Sequence, residues 1–356
     1  MPALPITHAV PGPPSFYGLG RDRLSTLLEG AGLPAYRARQ LYAWIYQRRE
    51  RDPLAMTDLP AELRRNLDSL VGLDLAPAAE VHSSRDGETH KFVLELADGS
   101  RVECVSMRTA RRLTLCLSSQ VGCALKCSFC ATGLMGLKRN LRPEEIVAQV
   151  MVMGDFHGWE DERFNIVFMG MGEPLANYAP MMEAIRILHD PLGLNLGARR
   201  ITVSTSGLVP QIHALAEEGL RLGLAVSLHG TTDELRNELV PVNRRWPLAD
   251  LLPAAREYGM RTGRRVTLEY TLIAGVNDRD EDADRLSDIA REMPSKVNLI
   301  PYNPVPGLTY ERPGPEAVER FARRLYPRAP AVMIRNTLGG EIWAACGQLG
   351  GLSPRS

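Results

Sequence analysis

The chain has 356 residues, 44% hydrophobic and 24% charged, the balance of a soluble globular protein with one large domain and room for a smaller appendage. Lys plus Arg and Asp plus Glu each total 42, so composition alone does not announce a nucleic-acid binder. Six cysteines do not make a secreted disulfide framework, no apolar run approaches ~20 residues, and Met1 to Pro14 lacks the basic start and apolar core of a signal peptide, so the chain is expected in the cytoplasm and off the membrane.

Residues 1–16 are Pro-rich and read as an extended or disordered tail. From Arg21 the apolar spacing becomes helical, with Leu24, Leu27 and Leu28 on one side. A second helix is expected from Pro34 to Arg49 around Leu41, Trp44 and Ile45. A third follows the cap-like Asp58-Leu59-Pro60 and runs through Leu63, Leu67, Leu70 and Val71. Residues 17–76 are therefore expected to form a helical module. Over 77–112 the period falls to two. Strands are expected at Glu80–Ser84, Lys91–Leu96 and Arg101–Arg108, with Ala97-Asp98-Gly99-Ser100 as a hairpin turn, together forming a short antiparallel bridge.

Over 113–330 strands and helices alternate. The expected strands are Leu113–Ser119, Asn165–Gly170, Arg200–Ser206, Leu222–Leu228, Arg265–Leu272 and Lys296–Tyr302. The expected helices are Pro143–Phe156, Ala179–His189, Leu208–Glu218, Thr232–Leu239 with Leu248–Thr262, Glu281–Met293 and Pro315–Leu325. Six βα units running one way imply an α/β fold with a parallel sheet wrapped by helices. Six is short of the eight of a closed TIM barrel, so a partial, TIM-like (β/α)6 barrel is expected. Alternation puts Leu113, Leu115 and Leu117 towards the helices and Thr114, Cys116 and Ser118 towards the lumen. It likewise turns Thr202, Ser204 and Ser206, and Ala225, Ser227 and His229, inward. A polar lumen suggests a polar ligand. Residues 331–356 form a C-terminal segment.

Positive charge is nearly all arginine, with four lysines, Lys91, Lys126, Lys138 and Lys296. Arginines cluster at Arg37/Arg39, Arg48/Arg49/Arg51, Arg64/Arg65, Arg108/Arg111/Arg112 and, with Lys138, Arg139/Arg142. Each cluster alone reads as a solvated face. Their concentration before and around the cysteines adds some weight to an RNA footprint.

Cys123, Cys127 and Cys130 stand in a CxxxCxxC spacing that is followed by Ala131-Thr132-Gly133. Soft thiolates this close can hold zinc or an iron–sulfur cluster. A closed zinc site needs a fourth ligand, and the next cysteine is Cys346, so a zinc knot would have to be completed from afar. Three ligands leave a four-iron cluster with one open iron. The spacing resembles the radical S-adenosylmethionine (SAM) superfamily, in which SAM chelates that iron. After the second barrel strand, Gly170-Met171-Gly172-Glu173-Pro174-Leu175 offers backbone that a ligand can approach closely, plus a carboxylate for an ammonium group. It resembles the superfamily motif that holds the SAM amino group. Ser204, Ser227-Leu228-His229 and Asn303 fall at or beyond strand ends, where parallel sheets bind ligands. Taken singly they also read as a capping serine, a buried histidine and a turn asparagine. Cys104 reads as a small buried hydrophobe.

The ordered set Leu115-Cys116 through Cys123, Gly-Met-Gly-Glu-Pro-Leu, Ser204-Thr205-Ser206-Gly207, Ser227-Leu228-His229 and Ala344-Ala345-Cys346-Gly347-Gln348-Leu349 resembles the RlmN family of radical SAM RNA methyltransferases. The likeness covers the chain from about residue 20. It implies a [4Fe-4S] cluster on Cys123, Cys127 and Cys130, with SAM held by Gly172, Glu173, Ser204, Ser227, Leu228, His229 and Asn303. It also implies Cys346 as an S-methylcysteine intermediate, Cys116 as the resolving cysteine of a transient disulfide, and Glu103 as proton acceptor. The implied reaction uses two SAM and makes 2-methyladenosine in 23S rRNA and in tRNA, 3′ of the anticodon. An electron donor such as flavodoxin and a monomeric chain complete that expectation, with the helical module gripping RNA. A Cfr-type enzyme, which methylates carbon 8, shares the cysteines. A glycyl-radical activase has no use for Cys116 and Cys346, and a zinc-binding RNA module would need no SAM.

Overall fold

The N-terminal helices bury the residues their spacing singles out. Helix α1 (Arg21–Gly30) turns Leu24 and Leu28 into the core, α2 (Arg37–Tyr42) turns in Leu41, and α3 (Ala61–Leu70) turns in Leu63 and Leu67. The computed structural model describes residues 12–75, 77–110, 112–159, 164–335 and 337–350. Two differences from expectation have local causes. After Tyr42 the second helix continues as a wider turn over Ala43–Gln47, which swings Trp44 so that its Nε1 donates to Asp58 Oδ1 at 2.5 Å. Asp58 is thereby occupied, and Pro60 takes the cap position of α3.

Most of the tail expected over 1–16 lies outside the described residues, but its end is packed. Phe16 is fully buried among Tyr17, Tyr42 and Tyr46, with ring centroids 5.4 to 5.8 Å apart. Its N–H donates to Gly72 O at 2.9 Å. Burying a phenylalanine is worth about 2–3 kcal/mol, more than ordering the residue costs.

Strands β1 (Ala78–Ser83), β2 (Thr89–Glu95) and β3 (Arg101–Thr109) form the expected antiparallel run, and the turn at 97–100 is closed by Asp98 Oδ1 accepting Ser100 N–H. β3 pairs antiparallel with β4 (Arg112–Cys116), so the three strands extend the main sheet at its first edge. Arg111 and residue 76 lie outside the described residues. β4 is shorter than expected because Ser118 leaves the ladder, its hydroxyl donating to Glu103 O and accepting Met171 N–H. A hairpin not foreseen, β5 (Gln120–Gly122) with β6 (Leu137–Asn140), then brackets the cysteine loop and the short helix α4 (Ala131–Met135).

The remainder alternates in order: α5 (Pro143–Phe156), β7 (Asn165–Phe168), α6 (Tyr178–His189), β8 (Ile201–Thr205), α7 (Val209–Glu217) and β9 (Gly223–Ser227). It continues through α8 (Asp233–Leu239), α9 (Leu248–Thr262), β10 (Val266–Leu272), α10 (Asp280–Arg291), β11 (Ser295–Pro301), α11 (Pro315–Leu325) and β12 (Val332–Ile334). The sheet order is β1-β2-β3-β4-β7-β8-β9-β10-β11-β12, parallel from β4 onwards. Strand β12 is a seventh parallel member, only three residues long and half exposed at the edge, which leaves almost no periodic signal. Residues from β7 to β11 border a single cavity, so the sheet curves into an open α/β barrel. Every residue of β10 is buried, between the outer helices on one face and the cavity-bearing lumen on the other.

The helical module is fastened to the barrel's outer helices. Arg21 pairs with Asp190 at 3.2 Å, Arg51 with Asp155 at 2.7 Å, and the Arg49 guanidinium lies 3.9 Å from the Trp159 ring centroid. Module and barrel share one continuous hydrophobic core.

Candidate active site

The cysteine loop is held at both ends. Gly122 takes a positive φ of 78°, and a Cβ there would lie 1.8 Å from Gly136 O, so only glycine closes the loop. Cys123 N–H donates to that same Gly136 O at 3.0 Å. Cys127 and Cys130 border the lumen cavity, and Cys123 lies beside them on the loop. Burial pushes the Cys123 thiol up to about 12, and those of Cys127 and Cys130 also upward, with the neighbouring thiols adding to the effect. Among the described residues no three His, Cys, Asp or Glu side chains surround one ion position. A sulfur-ligated cluster does not require that convergence, because each iron takes its own thiolate. Three thiols on one loop are the soft donor set that an iron–sulfur cluster takes.

The turn after β7 faces them. Gly172 has φ +97°, and a Cβ there would lie 2.5 Å from Gln120 Cβ. Gln120 was not singled out from the sequence. Its Oε1 accepts Glu173 N–H at 2.9 Å and its Nε2 donates to Asn140 Oδ1 at 2.7 Å, tying the turn to the hairpin that carries the cysteines. Glu173 is 3% exposed and accepts Ser206 N–H at 2.8 Å and Leu175 N–H at 3.2 Å. Burial outweighs these donors and pushes its carboxyl up to about 7. A raised carboxyl stabilises the fold below its unfolded value, near 4.5, and that contribution is lost as pH rises through about 7. Cluster-free protein should therefore lose up to about 3 kcal/mol between pH 5 and 8 relative to Glu173→Gln. Parallel denaturant curves for the two proteins would refute this assignment.

Ser204 and Ser227 line the same cavity, their hydroxyls 3.4 Å apart. His229 has φ +54° and its Nδ1 accepts Thr271 N–H at 3.0 Å, which leaves Nε2 to carry the proton. Burial, then the Arg236 charge, hold its pKa down to about 3, so the ring is neutral. Leu228 does not present its side chain. It is buried in the core, while its N–H donates to Glu269 O at 2.9 Å and its carbonyl accepts from Arg236. Asn303 borders an adjoining cavity, where its Nδ2 donates to Cys346 O at 3.1 Å.

Cys346 borders both cavities, and Cys116 meets it in the second. Both are free thiols, and burial pushes Cys116 up to about 12. The segment carrying Cys346 docks on α4 and β3. Ala131 N–H donates to Gly347 O at 2.8 Å, Thr132 Oγ1 donates to Leu349 O, and Gly350 N–H donates to Glu103 Oε2 at 3.2 Å. Glu103 is buried behind this segment and borders neither cavity. Arg335, another residue not singled out, borders the second cavity, its two Nη atoms each 3.9 Å from a thioether, Met169 Sδ and Met107 Sδ. Cys104 is buried in the sheet, as expected.

An open parallel barrel with three thiols on the loop after its first parallel strand, and a buried carboxylate and hydroxyls at the next strand ends, has the build of a radical SAM enzyme. A family model described as the Radical SAM superfamily matches residues 117–286, and one described as the Ribosomal RNA large subunit methyltransferase N-terminal domain matches residues 15–72. The chain is 49% identical over 334 residues to the probable dual-specificity RNA methyltransferase RlmN of Symbiobacterium thermophilum, covering 93% of this chain and 90% of that one. It is 47% identical over 343 residues to the dual-specificity RNA methyltransferase RlmN of Anaeromyxobacter dehalogenans, covering 94% and 91%. The crystal structure of a radical SAM methyltransferase from Sphaerobacter thermophilus matches with a TM-score of 0.89 at 48% identity, over 94% of this chain and 99% of that one. The chain belongs to the RlmN family of dual-specificity RNA methyltransferases.

Proposed function

We propose that the protein methylates carbon 2 of adenosine in 23S rRNA and in tRNA, 3′ of the anticodon, through S-methylation of Cys346 and with two SAM per turnover. The observation that carries the S-methylcysteine route is the meeting of Cys116 and Cys346 in a cavity adjoining the one bordered by Cys127 and Cys130, and the choice of carbon 2 rests on membership of the RlmN family. Carbon 2 of adenine is electron-poor and its hydrogen is not acidic, so direct polar attack on SAM is closed to it. Cys346 first takes a methyl group on sulfur as a thiolate nucleophile. Cys123, Cys127 and Cys130 would hold a [4Fe-4S] cluster, which would supply the electron for cleaving a second SAM to a radical able to remove hydrogen from that methyl group. Glu173 holds the SAM ammonium, and Ser204, Ser227, His229 and the Leu228 backbone shape the remaining wall. The Cys346 methylene radical then adds to carbon 2, the adduct would return one electron to the oxidised cluster, and Glu103 accepts the ring proton. The Cys116 thiolate attacks the Cys346 sulfur, the S–CH2 bond breaks with its electron pair on carbon, and that carbon takes up a proton to become the methyl group. That last step frees methylated RNA and leaves a Cys116–Cys346 disulfide for reduction. The protein works as a cytoplasmic monomer supplied with electrons by a donor such as flavodoxin. Among the described residues no helix is long and apolar enough to cross a membrane.

Anaerobic reaction of cluster-loaded protein with SAM, reductant and unmodified 23S rRNA, followed by nucleoside mass spectrometry, is expected to give 2-methyladenosine. 8-Methyladenosine would instead assign Cfr-type chemistry, and no methyladenosine would overturn the substrate.

The helical module is the RNA grip in this reading. Arg48 is exposed and stacks 3.9 Å from the Trp44 ring centroid, which leaves its N–H edge for phosphate, whereas Arg49 is committed to Trp159. Charge reversal of both would therefore disturb packing as well as binding. Arg48→Glu alone should weaken RNA binding and lower the salt slope by about one, with SAM cleavage intact. An unchanged slope in a filter-binding titration would remove Arg48 from the interface.

A further inference from the structure

Lys91 is fully buried on β2, its Nζ has no hydrogen-bond partner, and Glu103 Oε1 on β3 lies 3.9 Å away. Strand register explains the meeting. Lys91 pairs with Val105 and Val93 with Glu103, so Lys91 and Glu103 are diagonal neighbours on one face of the antiparallel pair. That face looks onto the Cys346 segment: Gly339 lies against the Thr89 methyl, Gly350 N–H donates to Glu103, and Met107 borders the cavity of Cys116 and Cys346. A buried ammonium loses its hydration, and a methionine or leucine would fill the space without that loss. Stability is therefore a poor reason for a lysine here. Glu103 and, from β1, Glu80 are the anions whose fields reach it. Burial nonetheless drives the ammonium below the ordinary lysine range. The adjacent Cys104 thiol is pushed well up by burial, so it does not titrate near neutrality.

We propose that Lys91 is a positioning residue for the methylation reaction, its ammonium keeping Glu103 ionised and aimed at the segment that carries Cys346. This rests on the reading of Glu103 as proton acceptor. In that step the C–H bond of the adducted adenine carbon breaks, its electron pair stays in the ring, and an O–H bond forms on Glu103. Lys91 touches no substrate. An ammonium 3.9 Å from the carboxylate favours its ionised form over its protonated one.

The test uses cluster-loaded enzyme with SAM, reductant and unmodified 23S rRNA, following formation and resolution of the Cys346–RNA adduct against pH. Lys91→Met should form the adduct normally yet resolve it roughly tenfold more slowly at neutral pH. It should recover as pH rises, its acidic limb displaced upward by about one unit. Lys91→Arg should retain the wild-type profile, and Lys91→Met should add nothing in a Glu103→Gln background. Infrared spectra of the cluster-free protein should show a protonated-carboxyl band in Lys91→Met at neutral pH, abolished by Glu103→Gln. Lys91→Gln, which keeps a donor, serves if the methionine variant does not fold. A Lys91→Met or Lys91→Gln profile parallel to wild type, with no new band, would overturn the proposal. Normal adduct resolution in Glu103→Gln would instead overturn the proton-acceptor reading, while the infrared band would still report the ion pair.

Discussion

Replacing Cys346 by alanine is expected to abolish RNA methylation, by ~10⁴-fold or more as for loss of a covalent nucleophile, while reductive cleavage of SAM continues. The separation follows from where each group sits. In the proposed reaction cleavage calls on the loop of Cys123, Cys127 and Cys130 and on the carboxylate of Glu173, whereas Cys346 only borders the cavity that Cys127, Cys130 and Glu173 line. The substitution removes one sulfur and spares the docking contacts, because Asn303 Nδ2 binds the Cys346 carbonyl and Ala131 N–H binds Gly347 O. An alanine preserves both. Incubating the variant with SAM, reductant and unmodified 23S rRNA should yield 5′-deoxyadenosine but no methyladenosine. Methylation within tenfold of wild type would dismiss Cys346 as the carrier. Cys116→Ala should fail one step later, leaving RNA covalently bound to Cys346, visible as a slow-migrating band sensitive to ribonuclease.

Arg236→Met is expected to be the most damaging single change to the barrel itself, costing about 3–5 kcal/mol in denaturant unfolding of the cluster-free protein. Its side chain is fully buried, and burial pulls the guanidinium down to about 10, still charged at neutral pH. Nε donates to Asn243 Oδ1 at 2.8 Å, Nη1 to the carbonyls of Ser227, at 3.1 Å, and Leu228, and Nη2 to Ser206 O at 3.0 Å. These carbonyls end β8 and β9, so one guanidinium shapes the backbone on which Ser206, Ser227 and His229 stand. Methionine fills much of the volume but orphans the buried Leu228 carbonyl and the part-buried carbonyls of Ser206 and Ser227, each worth up to about 1–3 kcal/mol. SAM affinity should fall along with stability, read by equilibrium dialysis. A loss under about 1 kcal/mol would show that water or a shifted neighbour replaces the guanidinium.

The sequence by itself determined the chemistry that is written contiguously. The CxxxCxxC spacing, the Gly172-Glu173 turn and the alternation of barrel strands are local, because thiols on one loop and side chains on one strand keep their relation whatever the rest of the chain does. Helix periods in the N-terminal module were legible for the same reason, and Phe16 was missed because a single aromatic in a Pro-rich tail has no period. Only the tertiary structure decided which distant residues serve those motifs. Arg335 meets Met107 from 228 positions away, Gln120 reaches Glu173 across 53, and Lys91 finds Glu103 through the register of a hairpin. Nothing local distinguishes these side chains from surface arginines, glutamines and lysines. Burial does, because an uncompensated polar group there is costly, and a partner is fixed only once the sheet has closed around it.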